Sequence, residues 1–286
     1  MKQNLLNQIG ILLLNKGFVV KTIKGCFDVI ARQGSNIVLI KVLEDANSIS
    51  TEFADEMKKI ASCMDASPLI IASKAQLQLQ ENVVYTRHGI YTLNVDTFKN
   101  VIDEKSPFLK SNHAGLTATV AGDKLKKARE KEDISLNSLS KKICVSKSMI
   151  TRYENDGSEV IVNRAVKIYD IFGDDVFEKI DIFSREYDFK AEPKSQISKK
   201  FDELGFNAAD TFKVPFNVVA KKNEEIILTE IGDKADPQMM SLSRLVDADN
   251  LVIFKKKKPK DIPSLKKEEF FEFERAKELI KFLREF

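Results

Sequence analysis

Histidine is scarce: His88 and His113 are the only two in 286 residues, and neither has a cysteine or another histidine at ligand spacing. That removes the materials for a histidine-based zinc site and for a Ser-His-Asp arrangement, and leaves both residues with ordinary surface roles. The three cysteines, Cys26, Cys63 and Cys144, are odd in number and widely scattered. They make neither a disulfide framework nor a zinc site, and they suit a reducing compartment, so a cytoplasmic location is expected. No glycine-rich phosphate loop is present. No run approaches the roughly twenty apolar residues of a membrane span. Hydrophobic content of 43% is nevertheless ample for packed cores, and 286 residues suggest two or three domains. The opening MKQNLLNQIGILLLNKGF is apolar, but Leu5, Leu6, Ile9, Leu12 and Leu13 follow helical spacing and no small-residue cleavage site comes after them. It reads as a core-facing helix and not as a signal peptide.

Net charge is only +3, with 46 basic and 43 acidic residues. The distribution is more informative. Residues 121–155 hold nine bases (Lys124, Lys126, Lys127, Arg129, Lys131, Lys141, Lys142, Lys147, Arg152) against five acids (Asp123, Glu130, Glu132, Asp133, Glu154), a local excess of +4. A basic face of this kind supplies sequence-independent affinity for the phosphates of a duplex. Two short amphipathic segments lie in the same stretch: Leu136, Leu139 and Ile143 recur at helical spacing, then Met149, Ile150 and Tyr153. Ser135 is placed to cap the first helix and Ser146 the second, with about three residues left for the turn. Val145 in that turn is expected to lie buried between the two helices.

The stretch GDKLKKAREKEDISLNSLSKKICVSKSMITRYEN resembles the helix-turn-helix of the Cro and phage-repressor family, with Val-Ser in the turn and Ile150, Tyr153 and Glu154 in the following helix. The likeness runs on through a further helix around Ala165, Ile168 and Phe172. Three positions depart from the family: Leu136 replaces a phosphate-binding Gln, Ser140 a small Ala, and Cys144 a turn Gly. A Cys in the left-handed conformation costs about 1–2 kcal/mol, so a turn of different shape is expected. The resemblance implies that Ser146, Lys147, Ser148, Thr151, Arg152 and Asn155 face DNA at the second helix, with Ser135 at the start of the first.

Residues 1–105 read as helix, strand, hairpin, strand, helix, strand. Phe18–Ile23 opens a strand, and Phe27–Arg32 alternates before a Gln33–Asn36 turn. Ile37–Leu43 is a nearly unbroken apolar run, which fits a strand covered on both faces. Glu52–Met64 is helical, Pro68–Ala72 is a buried strand, Gly89–Leu93 adds another, and Val95–Val101 is a helix. Residues 103–115 have the composition of a linker. The end of the chain then repeats its beginning. NQIGILLLNKGF (Asn7–Phe18) answers SQISKKFDELGF (Ser195–Phe206), FDVIARQGSNIVLIKV (Phe27–Val42) answers FNVVAKKNEEIILTEI (Phe216–Ile231), and Ser67–Ala72 matches Asn250–Phe254. Agreement of several elements in one order implies a duplicated α/β domain.

Both copies resemble the restriction-endonuclease fold, in which an Asp at a hairpin and a Glu-x-Lys on the next strand hold a metal ion. Asp28 stands at the hairpin, but Leu39–Leu43 offers no carboxylate. In the second copy Asn217 replaces the Asp, and Glu230 lacks a following Lys because Gly232 is there. Neither copy has the set, so no metal, no cofactor and no catalytic residue are expected. The run Lys255–Lys258 with Lys260 fits either a DNA contact or a solvated loop. The terminal FFEFERAKELIKFLREF, with Leu279, Ile280 and Leu283 on one face, fits docking on its own domain or on a partner and not on a membrane.

These readings combine into an α/β plus all-α chain in which two similar small α/β domains of degenerate endonuclease type, 1–108 and 192–286, flank a central five-helix domain, 116–183. As a whole the chain resembles archaeal helix-turn-helix transcriptional regulators. The resemblance implies a sequence-specific regulator that binds double-stranded DNA. A metal-dependent nuclease and an antitoxin-like scaffold remain as alternatives. Because one module reads only a few base pairs, a homodimer is expected, joined through exposed strands of the flanks or the apolar face of the terminal helix.

Overall fold

The computed structural model describes residues 2–112, 115–184 and 192–286; His113 lies outside the described residues. The chain forms two compact units, one joining the residues up to Ile70 with Ile182–Phe286, the other spanning Ile71–Asp181. No helix among the described residues is long and apolar enough to cross a membrane.

The first unit begins with helix α1 (Lys2–Asn15), strands β1 (Val19–Thr22), β2 (Val29–Gln33) and β3 (Asn36–Asp45), helix α2 (Thr51–Cys63) and strand β4 (Ala66–Ala75), which runs on into the second unit. α1 buries Leu5, Ile9 and Leu13, the helical stripe expected from their spacing. β1, β2 and β3 form an antiparallel meander closed by the turn at Gly34, and Ile37 to Val42 of β3 are buried on both faces. Ser50 caps α2 through Phe53 N–H.

The second unit contains strands β5 (Leu77–Gln78), β6 (Val83–Arg87) and β7 (Ile90–Leu93), helix α3 (Val95–Ile102), strands β8 (Leu109–Asn112) and β9 (Gly115–Thr119), helices α4 (Gly122–Lys131), α5 (Leu136–Ile143) and α6 (Lys147–Asp156), strand β10 (Glu159–Ile161) and helix α7 (Val162–Phe172). Strands β7, β6, β8, β9 and β10 lie side by side in that order. The expected linker 103–115 is therefore partly sheet: β8 pairs parallel with β6 and antiparallel with β9. Its half-buried Leu-Lys-Ser-Asn carries no apolar alternation, because backbone pairing to two neighbours holds it and not burial of one face. Residues 115–184 hold four helices where five were expected, and the short β10 pairs with β9.

The chain returns to the first unit with helix α8 (Gln196–Glu203), strands β11 (Asn207–Asp210), β12 (Val218–Lys222) and β13 (Glu225–Ile231), helix α9 (Pro237–Val246), strands β14 (Asp249–Phe254) and β15 (Ser264–Lys266), and helices α10 (Lys267–Phe271) and α11 (Ala276–Arg284). The sheet order is β11-β12-β13-β14-β15. Its first two pairings are antiparallel and its last two parallel, with α9 as the crossover from β13 to β14. Phe201, Phe206, Ile227, Leu251, Ile253 and Phe270 centre its core. Leu279 and Leu283 of α11 also point into this core, so the terminal apolar face docks on its own chain and is not free to join two chains.

Asp210 ties β11 to the start of α8, accepting from Lys194 N at 2.7 Å, Ser195 N at 3.0 Å and Ser198 Oγ at 2.6 Å. Partial burial pushes its pKa up, but hydrogen bonds from Ser195, Ser198 and the backbone outweigh that and hold the carboxyl below its ordinary range. A depressed folded pKa gives stability that is full above the ordinary Asp value of about 3.9 and is lost as pH falls through the folded value. Asp210→Asn is therefore expected to lower the melting temperature at neutral pH and to flatten its fall below about pH 4, as thermal unfolding across pH will report.

Candidate nucleic-acid interface

The helix pair α5–α6 is set by local chemistry. Ser135 accepts from Ser138 N at 3.1 Å and Ser146 from Met149 N at 3.2 Å, so both expected caps form. Three residues, Cys144 to Ser146, make the turn. Cys144 takes the left-handed conformation, φ 57° and ψ 52°, so the turn keeps the shape a glycine would give and the chain bears the strain. Val145 N–H closes the helix end on Ser140 C=O at 3.0 Å, while the Val145 side chain is half-buried against the core. Leu139, Ile143, Ile150 and Tyr153 are fully buried and fix the two helices against each other.

With Ile150, Tyr153 and Glu154 turned inward, Lys147, Ser148, Thr151, Arg152 and Asn155 are all exposed. Their spacing of one, four, five and eight residues from Lys147 places them on one face of α6. Ser146 is exposed at the head of that helix, and Ser135 is exposed at the head of α5. The hydroxyls are engaged locally: Ser146 Oγ lies 2.8 Å from Ser148 Oγ, and Thr151 Oγ1 donates to Lys147 C=O at 3.2 Å. Among the described residues, no ion pair engages Lys147 or Arg152. Lys147 at the capped start of α6 and Arg152 over one turn further along suit guanine edges or phosphates.

Arg129 behaves differently from the other bases of the run. Its Nε and Nη2 reach Glu154 Oε1 and Oε2 at 2.6 and 3.1 Å, and Nη1 donates to Ile134 C=O at 3.1 Å. The hydrogen bond to Glu154 holds the guanidinium pKa above even its ordinary value. Counting Arg129 as a phosphate-facing base was therefore wrong; it clamps α4 to α6. Glu154 leaves the count with it, so the excess of +4 stands on eight exposed bases. The sequence signal was a Glu one residue beyond the buried Ile150–Tyr153 stripe, which required a partner.

In the first unit, Asp28 Oδ1 lies 3.0 Å from Lys2 Nζ and 3.5 Å from Lys41 Nζ, and Oδ2 accepts from Val42 N at 2.8 Å. Lys41 is buried, which lowers its pKa, and it also donates to Gly25 C=O at 2.8 Å. The strand that lacks the second carboxylate thus presents a lysine to Asp28 in its place. Glu230 accepts from Asp236 N at 2.7 Å, and burial raises its pKa. Among the described residues no three His, Cys, Asp or Glu side chains are grouped to hold a metal ion. Lys255–Lys258 form an exposed loop after β14, with the N–H groups of Lys255 and Lys256 on Asp233 Oδ1.

Residues 2–107 match the PD-(D/E)XK superfamily domain, and residues 125–173 match the helix-turn-helix family. The chain is similar along nearly all its length to archaeal proteins named as candidate HTH-type transcriptional regulatory proteins. One from Archaeoglobus fulgidus is 30% identical over 277 residues, which cover 91% of this chain and 89% of that protein. One from Methanocaldococcus jannaschii is 29% identical, covering 99% and 97%. One from Thermococcus gammatolerans is 26% identical, covering 99% and 96%. No solved structure matches the chain.

Proposed function

The chain belongs to the archaeal family of HTH-type transcriptional regulatory proteins, and from that footing we propose that it reads duplex DNA with α6 as the recognition helix. The observation that carries this reading is the exposed face of Lys147, Ser148, Thr151, Arg152 and Asn155 over a buried Ile150, Tyr153 and Glu154. Ser146 caps that helix, and Ser135 caps α5 where a strand of phosphates would pass. Lys147→Ala and Arg152→Ala are each expected to weaken specific binding by about 1–3 kcal/mol and to relax preference at one base pair. Selection of binding sites from random duplexes, followed by titration at fixed salt, measures both. Unchanged affinity and unchanged preference in both variants would sink the assignment.

Modules 1–108, 116–183 and 192–286 describe the chain's ancestry, with the outer two as copies. Their shared order of helix, two hairpin strands, central strand, helix and strand supports this. So do matching contacts. Asp28 Oδ2 accepts from Val42 N and Asn217 Oδ1 from Ile231 N, each fourteen residues on. Gln33 Nε2 donates to Lys16 C=O, and Lys222 Nζ to Leu204 C=O, at the same corner of each copy.

Two chains on one operator present two recognition helices about 34–36 Å apart, the spacing of one DNA turn. The α/β copies serve as inactive scaffolds. In the first, Phe27-Asp28 and Leu39-Ile40-Lys41 stand where the superfamily's motif has Pro-Asp and Asp/Glu-x-Lys, so the second metal-holding carboxylate is a leucine. Plasmid incubated with Mg²⁺ or Mn²⁺ is expected to stay supercoiled. Nicking that vanishes in Asp28→Ala would restore the nuclease reading.

A further inference from the structure

We infer that the two α/β copies pair with each other inside one chain about a local two-fold axis, so that the first unit is its own partner and is not the surface by which two chains meet. This goes beyond DNA recognition by α6 and does not depend on it. The repeated sequences set Phe27 against Phe216 and carry each residue of the first hairpin to its counterpart. Lys24 then corresponds to Lys213, and Arg32 to Lys221. Asp65, just past the cap of α2, and Asp247, the cap of α9, correspond as the residues of positive φ, 49° and 54°, that follow the two helices.

Contacts between the copies are reciprocal. α2 lies on β11 and β12 of the second copy, and α9 lies on β1 and β2 of the first. Arg32 Nη1 reaches Asp247 Oδ2 at 2.5 Å, and Lys221 Nζ pairs with Asp65. Each ion pair thus joins the hairpin of one copy to the end of the crossover helix of the other. Near the axis, a loop meets its own counterpart: Cys26 N donates to Lys213 C=O at 3.1 Å. In an interface where residue i touches j and the counterpart of j touches the counterpart of i, exchanging the partners leaves the contacts unchanged. Head-to-tail packing would give one ion pair without the other. The pairing has also specialised: buried Glu56 of α2 accepts from Phe212 N at 3.0 Å and pairs with Lys59. Met239, Leu242, Leu245 and Val246 of α9 are buried, as are Met57, Ile60 and Ala61 of α2, so both crossover helices are already covered.

Charge reversal in cis and in trans tests this with the full chain. One variant carries Arg32→Glu and Lys221→Glu on the hairpins; a second carries Asp65→Lys and Asp247→Lys at the helix ends. Each should lose about 2–4 °C in melting temperature, a modest shift because the pairs are partly exposed. Placing all four substitutions in one chain should recover most of the loss. An equimolar mixture of the two variants, unfolded and refolded together, should not. Recovery in the mixture means that the copies pair between chains and overturns the inference. Losses that simply add in the four-site chain overturn it too, because the ion pairs then do not couple. The readout contains no DNA, so failure here leaves the role of α6 untouched, and failure of Arg152→Ala to alter binding leaves the pairing untouched.

Discussion

Glu154→Ala is expected to cost the helix-turn-helix unit about 3–5 kcal/mol, the typical penalty for removing one member of a buried ion pair. Side-chain exposure is 5% for Glu154 and 11% for Arg129, so neither charge is solvated in the folded state. With the carboxylate gone, the guanidinium keeps Ile134 C=O and the exposed Glu130, whose Oε1 is 3.5 Å from Nη2, but loses both of its hydrogen bonds to α6. A domain of this size is stable by roughly 5–15 kcal/mol, so much of that margin disappears. Far-UV circular dichroism during denaturant titration will measure the loss. DNA affinity should fall with it, although Glu154 faces away from the proposed DNA surface. Replacing both partners, Arg129→Met with Glu154→Leu, should recover most of the stability, because an apolar pair leaves no charge stranded. A loss under about 1 kcal/mol for Glu154→Ala would mean that the pair behaves as a solvated surface bridge.

Gly25→Ala is the second large effect, and it falls in the other unit. A Cβ at Gly25 would sit 2.0 Å from Lys213 C=O, a backbone atom that no side-chain rotation can move aside. Overpacking usually costs about 1–3 kcal/mol, and an obstacle made of backbone should bring the cost to the top of that range or beyond. The displaced loop also carries Gly25 C=O, the acceptor for Lys41 Nζ, so the Asp28–Lys41 contact should loosen as well. Gly10→Ala is the control. Nothing lies within 4 Å of its new methyl, and alanine in a helix should stabilise by about 1 kcal/mol. Equal melting temperatures for the two variants would contradict the close approach at Lys213.

What could be read from the sequence was local. The caps Ser135 and Ser146, the buried stripe Leu139–Ile143 and the exposed face of α6 depend on neighbours within about four residues, the range over which helical spacing speaks. The likeness of the two hairpins was legible because the apolar positions of Phe27–Val42 recur in order in Phe216–Ile231. Features set at long range were not. Arg129 looked like its lysine neighbours because its partner is 25 residues away. β8 looked like linker because its pairing with β6 lies across a helix, and the contact of Arg32 with Leu245 C=O spans 213 residues. The turn at Cys144 failed for another reason: a cost of about 1–2 kcal/mol is small beside the burial of Ile143 and Ile150, so packing overrode the local preference.

The second unit interrupts the first, and this arrangement constrains the order in which the protein can fold. Residues up to Ile70 must wait for Ile182 and everything after it, whereas Ile71–Asp181 is continuous and can complete itself as it leaves the ribosome. Left as open chain, those intervening residues would have to be closed into one long loop before the α/β copies could meet, which slows folding. Folded first, they hold their own ends at a fixed separation instead. Ser67 Oγ donating to Phe183 C=O shows that the chain leaves the first unit and re-enters it at adjacent points. Mutations that delay the folding of Ile71–Asp181 should therefore appear first as aggregation of the interrupted unit, whose two segments stay apart until the stretch between them is compact.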